Sequence, residues 1–149
     1  MNRRLDRGFD FAAYNPAGAM TTLVQVKPRL GTSSTWAKAF RRNVLAHEKT
    51  PPATLFVLVT LDRLYIWGAG EPLDAPPARE VDAGRILAPY FAKVGVPPEQ
   101  IQPVAFDSLV SWWLGDLTHS APESVDPAIR ESGLLEALSG ADIVAEATT

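Results

Sequence analysis

The sequence predicts an α/β (α+β) domain in which a mixed β-sheet is flanked by helices. Three observations carry that prediction. Two strand-like runs, Gly8–Tyr14 (GFDFAAY) and Thr21–Lys27 (TTLVQVK), sit on either side of the turn signal Asn15-Pro16-Ala17-Gly18. The run Thr54–Thr60 (TLFVLVT) is almost continuously apolar, the composition of a strand covered on both faces. Helical periodicity then appears between and after these runs, and the order β-β-α-β-β followed by helices implies helices layered on a mixed sheet. The 149 residues fit one domain, 1–149, with a helical C-terminal part over 80–140.

Taken in order, Gly8–Tyr14 and Thr21–Lys27 form a hairpin, which Pro28 ends by removing a donor. Thr32, Ser33 and Ser34 supply capping hydroxyls for a helix over Ser34–His47. Trp36, Phe40, Val44 and His47 share one face of it, so His47 is expected to pack in the core; Lys38, Arg41 and Arg42 are expected to point away. Thr50-Pro51-Pro52 stops the helix. Leu61-Asp62 links the apolar strand tightly to a further strand, Arg63–Trp67. Gly68–Arg79 reads as a long loop, and Val81–Val94 as a helix with Ile86, Leu87, Tyr90 and Phe91 as its stripe. Pro97-Pro98 breaks it. Val104–Leu117 is a second amphipathic helix, Ser120–Pro127 a loop, Ser132–Leu138 one short helix, and Ala141–Ala147 a short strand or a frayed tail.

Composition narrows the function classes. Apolar residues at 46% and charged residues at 21% are those of a soluble globular domain, and no apolar run approaches the roughly 20 residues that span a bilayer. The basic opening MNRRLDRGFD has no apolar segment after it and does not read as a signal peptide. There are no cysteines, which excludes disulfides, thiolate nucleophiles and cysteine-ligated zinc. A cytoplasmic location without membrane contact is the plain expectation. Charge is distributed unevenly. Residues 1–49 hold nine Lys/Arg against three acids, a balance of +6, and the remainder carries −9, giving the overall −3. A phosphate-rich partner is expected at the N-terminal third.

The hairpin concentrates polar residues. With a loop over Pro16–Ala19, cross-strand partners sum to 35, which sets Asp10 opposite Gln25, with Cβ atoms about 4.5–5.5 Å apart on one face. Lys27, two residues beyond Gln25, projects from the same face. A slip of one residue would separate Asp10 from Gln25. A carboxylate binds Mg²⁺ or Mn²⁺ through oxygen, the Gln25 amide oxygen is a neutral ligand of the same hard type, and the Val26 carbonyl is a third candidate. Lys27 is placed to orient a water or to stabilise charge on a phosphate. The bland reading of the trio is a polar cross-strand ladder on a solvated face.

These segments, GFDFAAY and LVQVKPR followed by a helix and TLFVLVTLDRLYIW, resemble the PD-(D/E)XK nuclease superfamily, which includes restriction endonucleases and Holliday-junction resolvases. The resemblance covers residues 3–67. It includes small uncharacterised prokaryotic members. It implies a restriction-endonuclease-like sheet and divalent-metal hydrolysis of phosphodiesters, DNA above all. Asp10 matches the metal-binding aspartate, Gln25 stands at the second acidic position, and Lys27 matches the lysine. Arg29, Lys38, Arg41 and Arg42 are then candidates to hold the nucleic-acid backbone.

Two departures follow. Only nine residues precede Asp10, so the helix and first strand that usually open the family core are missing. The Asp10 strand is therefore expected at an exposed edge, covered by a second chain in a homodimer or similar self-association, or by the C-terminal segment. Gln25 also removes one negative charge and weakens metal binding. The alternative is a catalytically inactive nuclease-fold module for protein interaction or nucleic-acid binding. Of the remaining residues, His119 lies in a loop and carries no role, while Trp112 and Trp113 point in different directions. One of these is core, and the other is an interface anchor or stacking platform.

Overall fold

The computed structural model describes residues 10–47, 51 and 54–145. Arg3, Arg4, Arg7 and Lys49, four of the nine N-terminal cations, lie outside the described residues. The fold is α+β: one six-stranded mixed sheet with helices on both faces. The strands are β1 (Phe11–Tyr14), β2 (Met20–Val26), β3 (Leu55–Val59), β4 (Arg63–Trp67), β5 (Arg79–Asp82) and β6 (Asp142–Ala145), in the order β5-β4-β3-β2-β1-β6. Only β2 and β3 run parallel, because the helix α1 (Ser34–Ala46) carries the chain back between them. The other pairs are antiparallel.

Alternation along the strands divides the core in two. Phe11, Val24, Val26, Val57, Val59, Leu64 and Ile66 face a thick layer made by α2 (Ala83–Val94), α3 (Pro103–Leu117), α4 (Pro127–Glu131) and α5 (Leu134–Leu138). Ala12, Leu23, Phe56, Leu58, Tyr65 and Trp67 face α1 and Ala75 of the long loop. Coverage on both sides is why β3 reads as a continuous apolar run. Among the described residues, no helix is long and apolar enough to cross a membrane.

The hairpin keeps the expected register through Phe11↔Val24, Ala12↔Leu23 and Ala13↔Thr22, then shifts at Tyr14↔Met20. The shift is a bulge that lengthens the loop. Asn15 closes it, accepting from Ala19 N through its side chain and from Gly18 N through its carbonyl, while Gly18 takes φ 86°, a conformation that favours glycine.

Three expectations are corrected. Helix α2 does not begin at Val81. Arg79–Asp82 is strand, paired with β4, and the Asp82 carboxylate caps Arg85 N, so the helix starts at Ala83. The predicted helix over Ser132–Leu138 starts later, as α5 from Leu134 after Gly133 at φ 87°, and a further helix not read from the sequence, α4, precedes it over Pro127–Glu131. His47 is not a core residue. It is exposed at the end of α1, its Nδ1 2.9 Å from the Asn43 carbonyl. The segment Ala141–Ala147 supplies β6, which pairs with β1 from Phe11↔Ala145 to Tyr14↔Asp142. Of the two covers expected for the Asp10 strand, a second chain or the C-terminal segment, the structure shows the C-terminal segment.

Candidate active site

β1 and β2 end where the polar residues begin. Asp10 N donates to the Val24 carbonyl (3.0 Å), the carbonyl of the residue that pairs with Phe11, so Asp10 lies just before the strand pairing begins. Asp10 Oδ2 then accepts the Val26 N–H at 2.7 Å, taking the place of the next strand carbonyl in the ladder. In an extended strand a residue's N–H and C=O point to the same side, so the Val26 carbonyl is directed toward this edge as well. Asp10 is 6% exposed and Gln25 7%. Among the described residues the Gln25 Oε1 atom is buried with no hydrogen-bond partner. A buried amide oxygen left in that state costs about 1–3 kcal/mol. No group of three or more His, Cys, Asp or Glu positioned to hold a metal occurs among the described residues. The oxygen donors here are therefore the Asp10 carboxylate, Gln25 Oε1 and the Val26 carbonyl, a set hard enough for Mg²⁺ or Mn²⁺ but carrying a single charge.

Lys27 leaves the sheet after one last ladder bond, Lys27 N to the Val59 carbonyl at 2.9 Å. Its side chain is half-buried and its Nζ lies 5.2 Å from the centre of the Phe40 ring on α1. Gln25, beside Leu58 in the parallel pairing, and Lys27 therefore share the α1 face of the sheet, and Asp10 reaches the end of β2 through the Val26 N–H.

The loop from Lys27 to α1 is held from below. Leu61 N donates to the Arg29 carbonyl (3.0 Å), Gly31 N to Asp62 Oδ2 (3.2 Å), and the Thr32 hydroxyl shares a hydrogen bond with Tyr65 Oη (2.7 Å). Burial pushes the Tyr65 phenol pKa up, and the Thr32 hydrogen bond opposes that rise. The Ser33 hydroxyl caps α1 by accepting from Trp36 N. The Arg29 guanidinium lies 5.1 Å from the Trp36 ring centre, and Trp36 stacks on Phe40 with centroids 5.5 Å apart. A ladder of cation, two rings and cation thus runs from Arg29 to Lys27.

The four predicted backbone-binding cations do not stay together. Arg29 and Arg42 are exposed and Lys38 is half-buried. Arg41 is 4% exposed. Its guanidinium donates to the carbonyls of Glu71, Pro72 and Leu73 and lies over Trp67. Burial lowers its pKa, with Glu71 opposing that shift. Arg41 pins the long loop to α1 and is not available to a ligand. The sequence missed this because the carbonyls it satisfies lie thirty residues away. It also missed Tyr65 and Asp62, which shape the loop after Lys27. Trp113 is buried and Trp112 is 41% exposed, as their spacing required.

Comparison with known protein families, with curated proteins and with solved structures finds no match to this chain.

Proposed function

We propose that the protein hydrolyses phosphodiester bonds of nucleic acid, DNA first, with a divalent metal ion at a PD-(D/E)XK-type site on a restriction-endonuclease-like sheet. The observation that carries the reading is a buried carboxylate bonded to the Val26 N–H, next in sequence to Gln25, whose buried amide oxygen has no protein partner among the described residues. Such an oxygen is accounted for if a ligand satisfies it. Asp10, Gln25 Oε1 and the Val26 carbonyl would hold Mg²⁺ or Mn²⁺, with waters and the phosphate completing a sparse protein shell. The bound ion would neutralise charge on the phosphate and acidify a water. Lys27 supplies a positive charge on the same face, next to the scissile phosphate, and moves off Phe40 to do so. Arg29, Lys38 and Arg42 are the cations left to hold the backbone.

The test is cleavage of DNA in Mg²⁺ and in Mn²⁺ by the wild type and by Lys27→Ala. The proposal expects metal-dependent cleavage that falls at least about 100-fold in the variant, the scale of one lost charge-stabilising donor. Equal activity in both proteins would overturn it.

One observation favours the alternative, a catalytically inactive module of the same fold that binds nucleic acid or protein. Asp10 Oδ2 is committed to the Val26 N–H, and the second acidic position holds a neutral amide. DNA binding that weakens steeply with salt, without cleavage in either metal, would decide for this reading.

A further inference from the structure

On the opposite side of the sheet, a cavity of about 530 Å³ opens between α2 and α3, closed at one end by the turn Pro122–Ser124 and by α4. Its size falls within the range of small-molecule sites, about 300–1,000 Å³. The floor is apolar: Ile86, Trp113, Leu117, Val125 and Ile129. The rim is polar, and its hydrogen-bonding capacity is one-sided. The Tyr90 hydroxyl donates to Asp116 Oδ2 (2.5 Å), Ser120 to the Asp116 carbonyl (2.6 Å) and Ser124 to the Ala121 carbonyl (2.7 Å). The Arg85 guanidinium is forked onto Asp126, Nε to Oδ2 at 3.0 Å and Nη2 to Oδ1 at 3.2 Å. The hydroxyl donors are thus committed within the protein, and the arginine charge is neutralised.

What remains is acceptor capacity. Asp116 has a neutral hydroxyl as partner and no ion pair among the described residues. Pro89, inside α2, has no N–H, so the helical bond to the Arg85 carbonyl cannot form, and Arg85 and Pro89 both line the cavity. Beside these acceptors stands an exposed aromatic wall. Trp112 meets Tyr90 edge to face with centroids 4.9 Å apart, and the Lys93 ammonium sits 5.3 Å from the Trp112 ring centre. The chain itself therefore places an ammonium on this ring.

We propose that this cavity binds a small protonated amine with an apolar or aromatic body, its ammonium held between the Asp116 carboxylate and the Trp112 ring and its body on the apolar floor. Lys93 is exposed and free to swing away, and the bound amine takes its place. An anionic ligand finds no uncommitted hydroxyl and meets the Asp116 charge. The inference is independent of the metal site, which lies on the other face of the sheet.

The probe is phenethylamine, titrated while following the indole N–H signal of Trp112 by NMR, with 3-phenylpropionate as the anion of similar shape. The expected result is a saturable shift with the amine below about 10 mM and none with the carboxylate. Asp116→Asn should weaken amine binding about tenfold, and Lys93→Ala should tighten it severalfold by removing the internal competitor. If Asp116→Asn does not fold, binding followed by calorimetry in Trp112→Ala reads the same contact, with a severalfold loss expected. No saturable shift with the amine, equal binding of the carboxylate, or undiminished affinity in Asp116→Asn or Trp112→Ala would overturn the proposal.

Discussion

The two faces of the sheet are built on different principles. Toward α2–α5 the sheet meets a deep apolar layer in which Leu87, Phe106, Val110, Leu114 and Leu134 are fully enclosed. Toward α1 the buried apolar set is small, Gln25 and Arg41 are buried with it, and the buried Asp10 lies at the end of β2 beside it. The deep layer supplies the stability. The thin layer carries buried polar groups, one of which, the Gln25 amide oxygen, costs stability, the pattern expected where structure is retained for a site. Arg41 separates the two uses within that thin layer: its charge is spent on three loop carbonyls, whereas the amide oxygen of Gln25 has no protein partner among the described residues.

The contrast can be broken or sharpened at graded cost. The largest effect is expected in the deep layer. Phe106→Ala should lower stability by about 3–5 kcal/mol in urea unfolding, because a fully buried ring leaves a cavity between α2 and the sheet. A loss under about 1 kcal/mol would show that this layer is not the source of stability. Next comes Asp10. Asp10→Ala strands the buried Val26 N–H and should cost about 1–3 kcal/mol, whereas Asp10→Asn keeps an acceptor there and should stay close to wild type while losing metal affinity. Equal destabilisation by the two would make the charge, not the hydrogen bond, the structural element.

Smaller still is Gln25→Leu. Removing an unpartnered acceptor should leave stability unchanged or raise it by about 1 kcal/mol, while any metal response disappears. A marked loss of stability would mean that the glutamine serves the fold. The smallest effect concerns pH. Burial, and then the hydrogen bond to Asp116, raise the Tyr90 pKa well above the usual phenol value. The unfolded chain therefore gives up this proton first as pH rises through about 10, and the stability that Tyr90 contributes below that pH is lost above it. Tyr90→Phe should flatten the alkaline fall in melting temperature; an identical slope in both proteins would remove Tyr90 from that account.

Where periodicity or a turn was strong, the sequence was legible. The register of the hairpin from Phe11 to Ala13 followed from Asn15-Pro16-Ala17-Gly18, and with it the common face of Gln25 and Lys27. The helix α1 and strand β4 were legible for the same reason. β5 was not, since Arg79-Glu80-Val81-Asp82 buries only Val81 and one apolar residue defines no period. Nor was Arg41, whose side chain turns inward to reach Glu71, Pro72 and Leu73 on a loop distant in sequence. His47 was misplaced because a helical stripe was extended to its last residue, where the chain has already left the core. The closure of the β1 edge by the C-terminal segment was one of two covers the sequence offered; its register rests on strands far apart in sequence, which local pattern does not encode.

The central claim is that Asp10, Gln25 and Val26 form one oxygen-donor site. Titration with Mn²⁺, followed by paramagnetic broadening in ¹⁵N NMR spectra, tests it most directly. The account predicts broadening centred on the Val26 amide and the Gln25 side-chain amide, abolished in Asp10→Asn. Broadening centred elsewhere, or none at these groups at millimolar Mn²⁺, would contradict it.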